Sequence, residues 1–190
     1  CRTPDEAAAA AARIGGPVAV KLVARHVLHK TEAGGVMLDV EGAGAAREAF
    51  EVIRAGTPSL EGVLVAPMLP EPAARVLVGA RRDAGLGPVL TLGAGGVAVE
   101  VLHDVAHRVL PVRPSEVGAM ARELRTAGLL LGARGSAPAD LAALERVAAG
   151  LVRCLEEVPE ISEVEVNPLF LYPDGARAVD ARVILGPTGA

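Results

Sequence analysis

Two stretches of this chain carry side chains whose types and spacing can do phosphate and metal chemistry. In residues 21–38, His26, His29, Lys21, Lys30 and Glu32 lie in a polar link between the apolar runs Val18-Ala19-Val20 and Val36-Met37-Leu38. Lys21 ends the first run and can hold an anion as a point charge, or reach into solvent. His29 offers a neutral, nucleophilic imidazole near pH 7, or is an exposed loop histidine. Gly34-Gly35 ends the link, where glycine lets backbone come close to a ligand and can act as a hinge. In the second stretch, Glu165 and Asn167 alternate with Val164 and Val166, and strand side chains two apart share a face. Tyr172-Pro173-Asp174-Gly175 reads as a type I turn, with proline second and glycine fourth. That turn pairs Leu171 with Ala176 and, counting outward, Asn167 with Asp180. Directly opposed residues hold their Cβ atoms about 5 Å apart. Two carboxylates and an amide oxygen then meet as hard donors of the kind that suit Mg²⁺. A solvated polar face of a hairpin is the plain alternative. Glu100 is the single acid in the apolar run 97–102, and it either lines a cleft or faces water.

The elements that must position these residues follow from local signals. Thr3 suits a helix N-cap, Pro4 its first turn and Glu6 the reciprocal capping position. The alanine run behind them has high helix propensity, and Gly15-Gly16 stops it. Residues 17–21 and 35–40 read as strands flanking the polar link. Residues 45–55 form an amphipathic helix with Ala46, Ala49, Phe50 and Ile53 on one face. Residues 60–68 read as a strand closed by Pro67 and Pro70, a hinge between two lobes. Strands are expected at 76–80, 88–92, 97–102 and 107–112, interrupted by Gly93-Ala94-Gly95-Gly96, in a mainly antiparallel sheet. The glycine run opens into a strand and not a helix, which weakens it as a phosphate cradle. A helix from Pro114 to about residue 125, a loop over 128–135 and a long helix from Asp140 to about residue 157 follow. Strands at 163–171 and 176–185 finish the chain. His26, His103 and His107 show no ligand spacing and read as structural.

Bulk composition narrows the classes. The chain has 190 residues, enough for one domain or two lobes around a cleft. It is 51% hydrophobic but only 2% aromatic, with no tryptophan, so Val, Leu, Ile and Ala must build the core. A net charge of -4 without a basic run gives no electrostatic footprint for nucleic acid. Cys1 and Cys154 make no metal or disulfide pattern, which suits the reducing cytosol and a cytoplasmic location. No apolar run reaches the roughly 18 residues of a membrane span, and no signal-peptide pattern is present. A first residue of Cys, leading straight into a helix, suggests part of a longer polypeptide.

The ordered set of short motifs resembles one family. Val18-Ala19-Val20-Lys21, Leu28-His29-Lys30-Thr31-Glu32, Gly34-Gly35-Val36 and Gly62-Val63-Leu64-Val65 resemble the ATP-grasp domain of ADP-forming acyl-CoA synthetases. So do Arg81-Arg82-Asp83, the run from Gly93 to Glu100, Asp104, Arg108, the run from Glu165 to Leu169, and Val179-Asp180-Ala181-Arg182. The pattern is also similar to the β subunit of succinyl-CoA synthetase. The resemblance implies an α+β, ATP-grasp fold, with a smaller lobe at 1–67, a larger one at 68–190 and a nucleotide cleft between them. It implies that Lys21 contacts nucleotide phosphates and that Val65, Ala66 and Met68 lie on the adenine side, with Glu100 a further nucleotide-binding candidate. It implies that Asn167 and Asp180 bind the Mg²⁺ of Mg-ATP or Mg-ADP. Glu165 would help hold a phosphohistidine, and His29 would be a second phosphate shuttle. The expected partner is a CoA-binding domain on the same or a separate chain. Two features depart from the family: Arg75 stands where an acid near the nucleotide sugar is usual, and the N-terminal piece of the ATP-grasp unit is absent before Cys1. They motivate an alternative expectation, a non-catalytic sensing module fused to a protein acetyltransferase.

Overall fold

The computed structural model describes residues 1–24, 34–96 and 102–186, without the side chain of Arg134. His26, His29, Lys30, Glu32 and Glu100, and most of the expected strand over 97–102, lie outside the described residues. The chain divides into two compact units, Cys1–Pro70 and Glu71–Ala190.

The first unit is a three-stranded antiparallel sheet with two helices. Helix α1 (Pro4–Ile14) starts where Thr3 accepts a hydrogen bond from the Glu6 N–H, and ends at Gly15 with φ 70°. The Glu6 carboxylate accepts from the Arg2 N–H at 2.6 Å, one residue before the expected capping-box partner. Strand β1 (Val18–Val23) sits between β2 (Val36–Val40) and β3 (Gly62–Pro67). Helix α2 (Gly42–Gly56) turns Ala46, Ala49, Phe50 and Ile53 inward. These meet Ala7, Ala11, Val18, Val20, Leu22 and Val63 in one core. Because β1 side chains alternate, that packing leaves Ala19 and Lys21 on the opposite face.

The second unit is a larger antiparallel sheet with helices on one face. Strands β4 (Ala74–Asp83), β5 (Gly87–Ala94) and β6 (Val105–Val109) run from its middle to one edge. Strand β7 (Ile161–Tyr172) lies on the other side of β4. Its outer side is shared by β8 (Gly175–Ala178) and β9 (Ala181–Leu185). Helix α3 (Pro114–Glu123), short helix α4 (Ala127–Leu130), a 3-10 turn (Ala133–Gly135) and helix α5 (Leu141–Glu157) fill the links. Asp140 caps α5 by accepting from the Ala143 N–H at 2.9 Å, and its own N–H donates to the Tyr172 carbonyl. Val76, Val78, Leu90, Leu92 and Leu169 from the sheet pack against Met120, Leu124, Leu144 and Ala148 from the helical side. At the C-terminus of α5, Arg82 donates to the Leu155 carbonyl, one of those the last helical turn leaves open, and to the Ile161 carbonyl at the start of β7.

Candidate functional site

With the helices on one face of the larger sheet, the other face collects the side chains of opposite phase. Register aligns His107, Thr91, Gly79, Glu165 and Arg182 in one row across β6, β5, β4, β7 and β9. Thr91 Oγ1 and His107 Nδ1 are 3.0 Å apart. At the other end, Arg182 Nη2 lies 2.6 Å from Glu163 Oε1 and 3.8 Å from Glu165 Oε1. These groups, with Arg81, line a hollow of about 410 Å³ within this unit.

One step along β7 the ladder is broken on purpose by sequence. Val76 pairs with Leu169 but Val78 pairs with Val166, so Asn167 and Pro168 together oppose Leu77. This is a bulge, one extra residue on one strand, and it re-aims side chains locally. The inward phase of β7 switches there, from Val164 and Val166 to Leu169 and Leu171. A proline that cannot donate to the ladder is accommodated at such a point. The Asn167–Pro168 peptide is cis. On the outer side the count is kept: the Asn167 N–H donates to the Asp180 carbonyl and the Val179 N–H to the Pro168 carbonyl, both at 3.1 Å. Asn167 is thus opposite Asp180, and the strand expected over 176–185 is two short strands meeting at this point.

The glycine run serves this place. The Gly95 N–H donates to the Arg75 carbonyl, and a Cβ at Gly95 would lie 2.4 Å from the Val76 carbonyl carbon. Gly96, at φ 68°, then donates its N–H to Asn167 Oδ1 at 2.9 Å. Asp180 Oδ1 accepts from the Ala181 N–H at 3.0 Å. Asp104 closes the other end of the run. Its carbonyl accepts from the Ala94 N–H, and its buried carboxylate accepts from the Arg125 N–H, the Thr126 N–H and Thr126 Oγ1. Burial pushes the Asp104 carboxyl up, but these hydrogen bonds together outweigh it and hold the group below the ordinary carboxylate value. Arg75, in place of the expected acid, pairs with Glu71 at 2.7 Å and stacks 5.2 Å over the Phe170 ring.

In the first unit, Lys21 is half-buried on the face away from the helices, beside Leu64 and Val36 in register. Ala66 pairs with Ala19 on the same face. Val65 packs its side chain against the core. The Met68 N–H donates to the Pro17 carbonyl at 2.9 Å. Gly35 has a packing reason: a Cβ there would lie 1.7 Å from Leu22 Cδ2. Sequence reading passed over Thr91, took His107 as structural, and had Arg81 and Arg182 only as parts of motifs. The available signal for Arg182 was its position two residues after Asp180 in an alternating strand.

A family profile described as an ATP-grasp domain matches residues 1–185. The chain belongs to the ATP-grasp family. It is 39% identical over 190 residues to the β subunit of ADP-forming acetate–CoA ligase I of Pyrococcus furiosus, covering 97% of this chain and 82% of that one. In Archaeoglobus fulgidus, ADP-forming acetate–CoA ligase I is 36% identical over 97% of this chain, which spans 28% of that longer protein. A solved structure of the dinucleotide-forming acetyl-coenzyme A synthetase 1 of Ca. Korarchaeum cryptofilum, in complex with coenzyme A and Ca-AMPCP, superposes with a TM-score of 0.89. It is 34% identical and covers 98% of this chain and 83% of that one. Another structure of that enzyme, with Mg-AMPPCP, has its phosphohistidine segment pointing towards the nucleotide binding site; the TM-score is 0.80 at 35% identity.

For an ATP-grasp chain the donor set at the bulge fits a hard divalent cation. Asn167 supplies an amide oxygen and Asp180 a carboxylate, on directly opposed residues. Backbone N–H groups of Gly96 and Ala181 fix one oxygen of each. Oxygen donors from one or two side chains, completed by water and phosphate, are what Mg²⁺ prefers. Among the described residues no helix is long and apolar enough to cross a membrane.

Proposed function

We propose that this ATP-grasp chain is the nucleotide-binding part of an ADP-forming acyl-CoA synthetase of the acetyl-CoA type, working in the cytoplasm with a CoA-binding domain on the same or a separate chain. The overall reaction joins a carboxylic acid, CoA and ATP to give acyl-CoA, ADP and phosphate. The observation that carries the reading is Asn167, opposite Asp180 and bonded by the Gly96 N–H of the glycine run, in a chain 39% identical to a β subunit of this enzyme class.

Each candidate takes one task. Lys21 neutralises nucleotide phosphates, while the backbone of Val65 and Ala66, together with Met68, borders the base. Glu100 is assigned to the nucleotide as well. Asn167 and Asp180 hold the Mg²⁺ that, when bound, spreads charge off the nucleotide phosphates. A histidine nitrogen attacks the γ-phosphorus, a P–N bond forms, and the bond to the β,γ-bridging oxygen breaks with its electron pair leaving on ADP. Glu165 accepts a hydrogen bond from the ring's other N–H and stabilises the charge that develops there. His29 is the second carrier of the phosphoryl group.

The test is a calorimetric titration of the intact protein with ATP and Mg²⁺, paired with an assay for acid-labile protein phosphate. Asp180→Ala should lose Mg²⁺-dependent nucleotide binding by at least about tenfold, the scale of a lost metal-coordinating interaction. His29→Ala should bind nucleotide as the wild type does and lose the share of acid-labile phosphate that peptide mapping places on residue 29. Wild-type binding in Asp180→Ala, or full phosphotransfer in His29→Ala, refutes the corresponding assignment.

A further inference from the structure

We infer that Arg182 is a positioning residue for Glu165, and that Glu163 sets how firmly it holds that carboxylate. This rests on the reading of Glu165 given above. Glu163 and Glu165 are two apart on β7 and present the same face. Arg182 is the register partner of Glu165 on β9. One guanidinium nitrogen, Nη2, serves both carboxylates, at 2.6 Å from Glu163 and 3.8 Å from Glu165. Arg182 Nε is buried and has no hydrogen-bond partner among the described residues. The side chains are 35%, 27% and 22% exposed for Arg182, Glu163 and Glu165, so solvent does not fully screen the three charges.

The geometry divides the labour. The short contact to Glu163 anchors the guanidinium, and the long one to Glu165 keeps a cation beside that carboxylate. A Glu165 held this way stays oriented towards an incoming hydrogen-bond donor. Removing Glu163 frees the guanidinium to close on Glu165 and compete with that donor. Removing Arg182 leaves two carboxylates side by side, which repel and turn away from each other. Among the described residues, other charged or titratable neighbours on this face include Arg81, the register partner of Glu163, with Asp83 3.5 Å from its guanidinium, and His107, held by Thr91. Both Nη2 contacts come from a single atom, so a lysine ammonium can reproduce them as a point charge.

The intact protein is assayed for single-turnover phosphoryl transfer from ATP to protein histidine, varying Mg-ATP. Arg182→Gln should lower the maximal rate by about tenfold or more while the half-saturating Mg-ATP concentration stays unchanged. Arg182→Lys should recover to within about threefold of wild type. Glu163→Gln should slow transfer a few-fold in the wild-type background and have no further effect in Arg182→Gln, as expected when one residue acts through the other. A wild-type rate in Arg182→Gln, a loss confined to Mg-ATP affinity, Arg182→Lys no better than Arg182→Gln, or additive effects of the two substitutions each overturn the inference. Glu165→Gln separates the two levels. If it transfers phosphate as the wild type does, the reading of Glu165 itself is wrong. If it is slow while Arg182→Gln is not, only the role of Arg182 is lost.

Discussion

Gly95→Ala tests whether the glycine run is built to hold Asn167. The added Cβ would lie 2.4, 2.6 and 2.7 Å from the carbonyl carbon, oxygen and nitrogen of Val76. All three are backbone atoms of a residue paired on both sides, with Ala94 and Leu169, so none can swing aside. The run must therefore lift away from β4 by about 1 Å, the gap between these distances and ordinary contact at 3.4 Å or more. That movement breaks the 3.0 Å bond from the Gly95 N–H to Arg75 and the 2.9 Å bond from the Gly96 N–H to Asn167. Two lost hydrogen bonds cost about 2 kcal/mol together. Forced overpacking adds about 1–3 kcal/mol. For a chain of this size, about 3–5 kcal/mol lowers the melting temperature by about 10 °C. Gly150→Ala is the control: it lies within α5, meets nothing within 4 Å, and should stabilise by about 0.5–1 kcal/mol. Thermal melts followed by circular dichroism read both, and calorimetry below the transition reads Mg-ATP affinity, which should fall in Gly95→Ala alone. Wild-type stability and wild-type nucleotide binding in Gly95→Ala would show that the run is not clamped against Val76.

Asp104→Ala strands the Arg125 N–H, the Thr126 N–H and the Thr126 hydroxyl, and should cost about 3 kcal/mol at about 1 kcal/mol each. Because the folded carboxyl sits below its unfolded value, its contribution is complete well above about pH 4 and disappears as pH falls through the folded value. Urea midpoints of wild type and Asp104→Ala should therefore converge below pH 4; a difference that stays constant with pH refutes the assignment. Gly35→Ala drives a Cβ to 1.7 Å from the fully buried Leu22 side chain and should destabilise by about 1–3 kcal/mol. In a Leu22→Ala background the same change should cost less, and additivity in the double variant would refute the clash.

The parts of this fold that a sequence shows are those fixed by local chemistry. Thr3 and Asp140 cap their helices because a short side-chain oxygen meets an orphan N–H, a relation that needs no distant partner. The pairing of Asn167 with Asp180 was also legible, because the turn at Pro173-Asp174 sets the register and the count survives the break between β8 and β9. The bulge was less visible. Strict alternation over 163–171 would put Leu169 and Leu171 on the face of Glu165, yet both are buried with Val164 and Val166 on the helix side. Pro168 within an interior strand was the signal for that switch. The loop expected over 128–135 contains α4 and a 3-10 turn, too short for a periodic pattern to register. Thr91 and His107 were out of reach for a different reason. They meet Glu165 only through the cross-strand order β6-β5-β4-β7, which no local pattern encodes.

Gly79 shows why that order matters for chemistry. It stands between Thr91 on β5 and Glu165 on β7, in the middle of the polar row. A Cβ at this position would come within 3.1 Å of the Val164 carbonyl and 3.4 Å of both Cβ and Cγ of Glu165. A larger side chain would therefore push the Glu165 stem off the sheet and fill the hollow that Glu163, Glu165, Thr91, His107 and Arg182 line. The same absence of side chain weakens the strand, since glycine loses more backbone freedom on folding than any other residue. Pairing on both sides of β4 offsets that weakness, for Gly79 is the central member of a ladder shared by two neighbours. A glycine can be tolerated at the centre of this sheet and would be costly at its edge. The carboxylate that needs room over a neighbouring strand is accordingly found on β7, beside the best-supported strand of the unit.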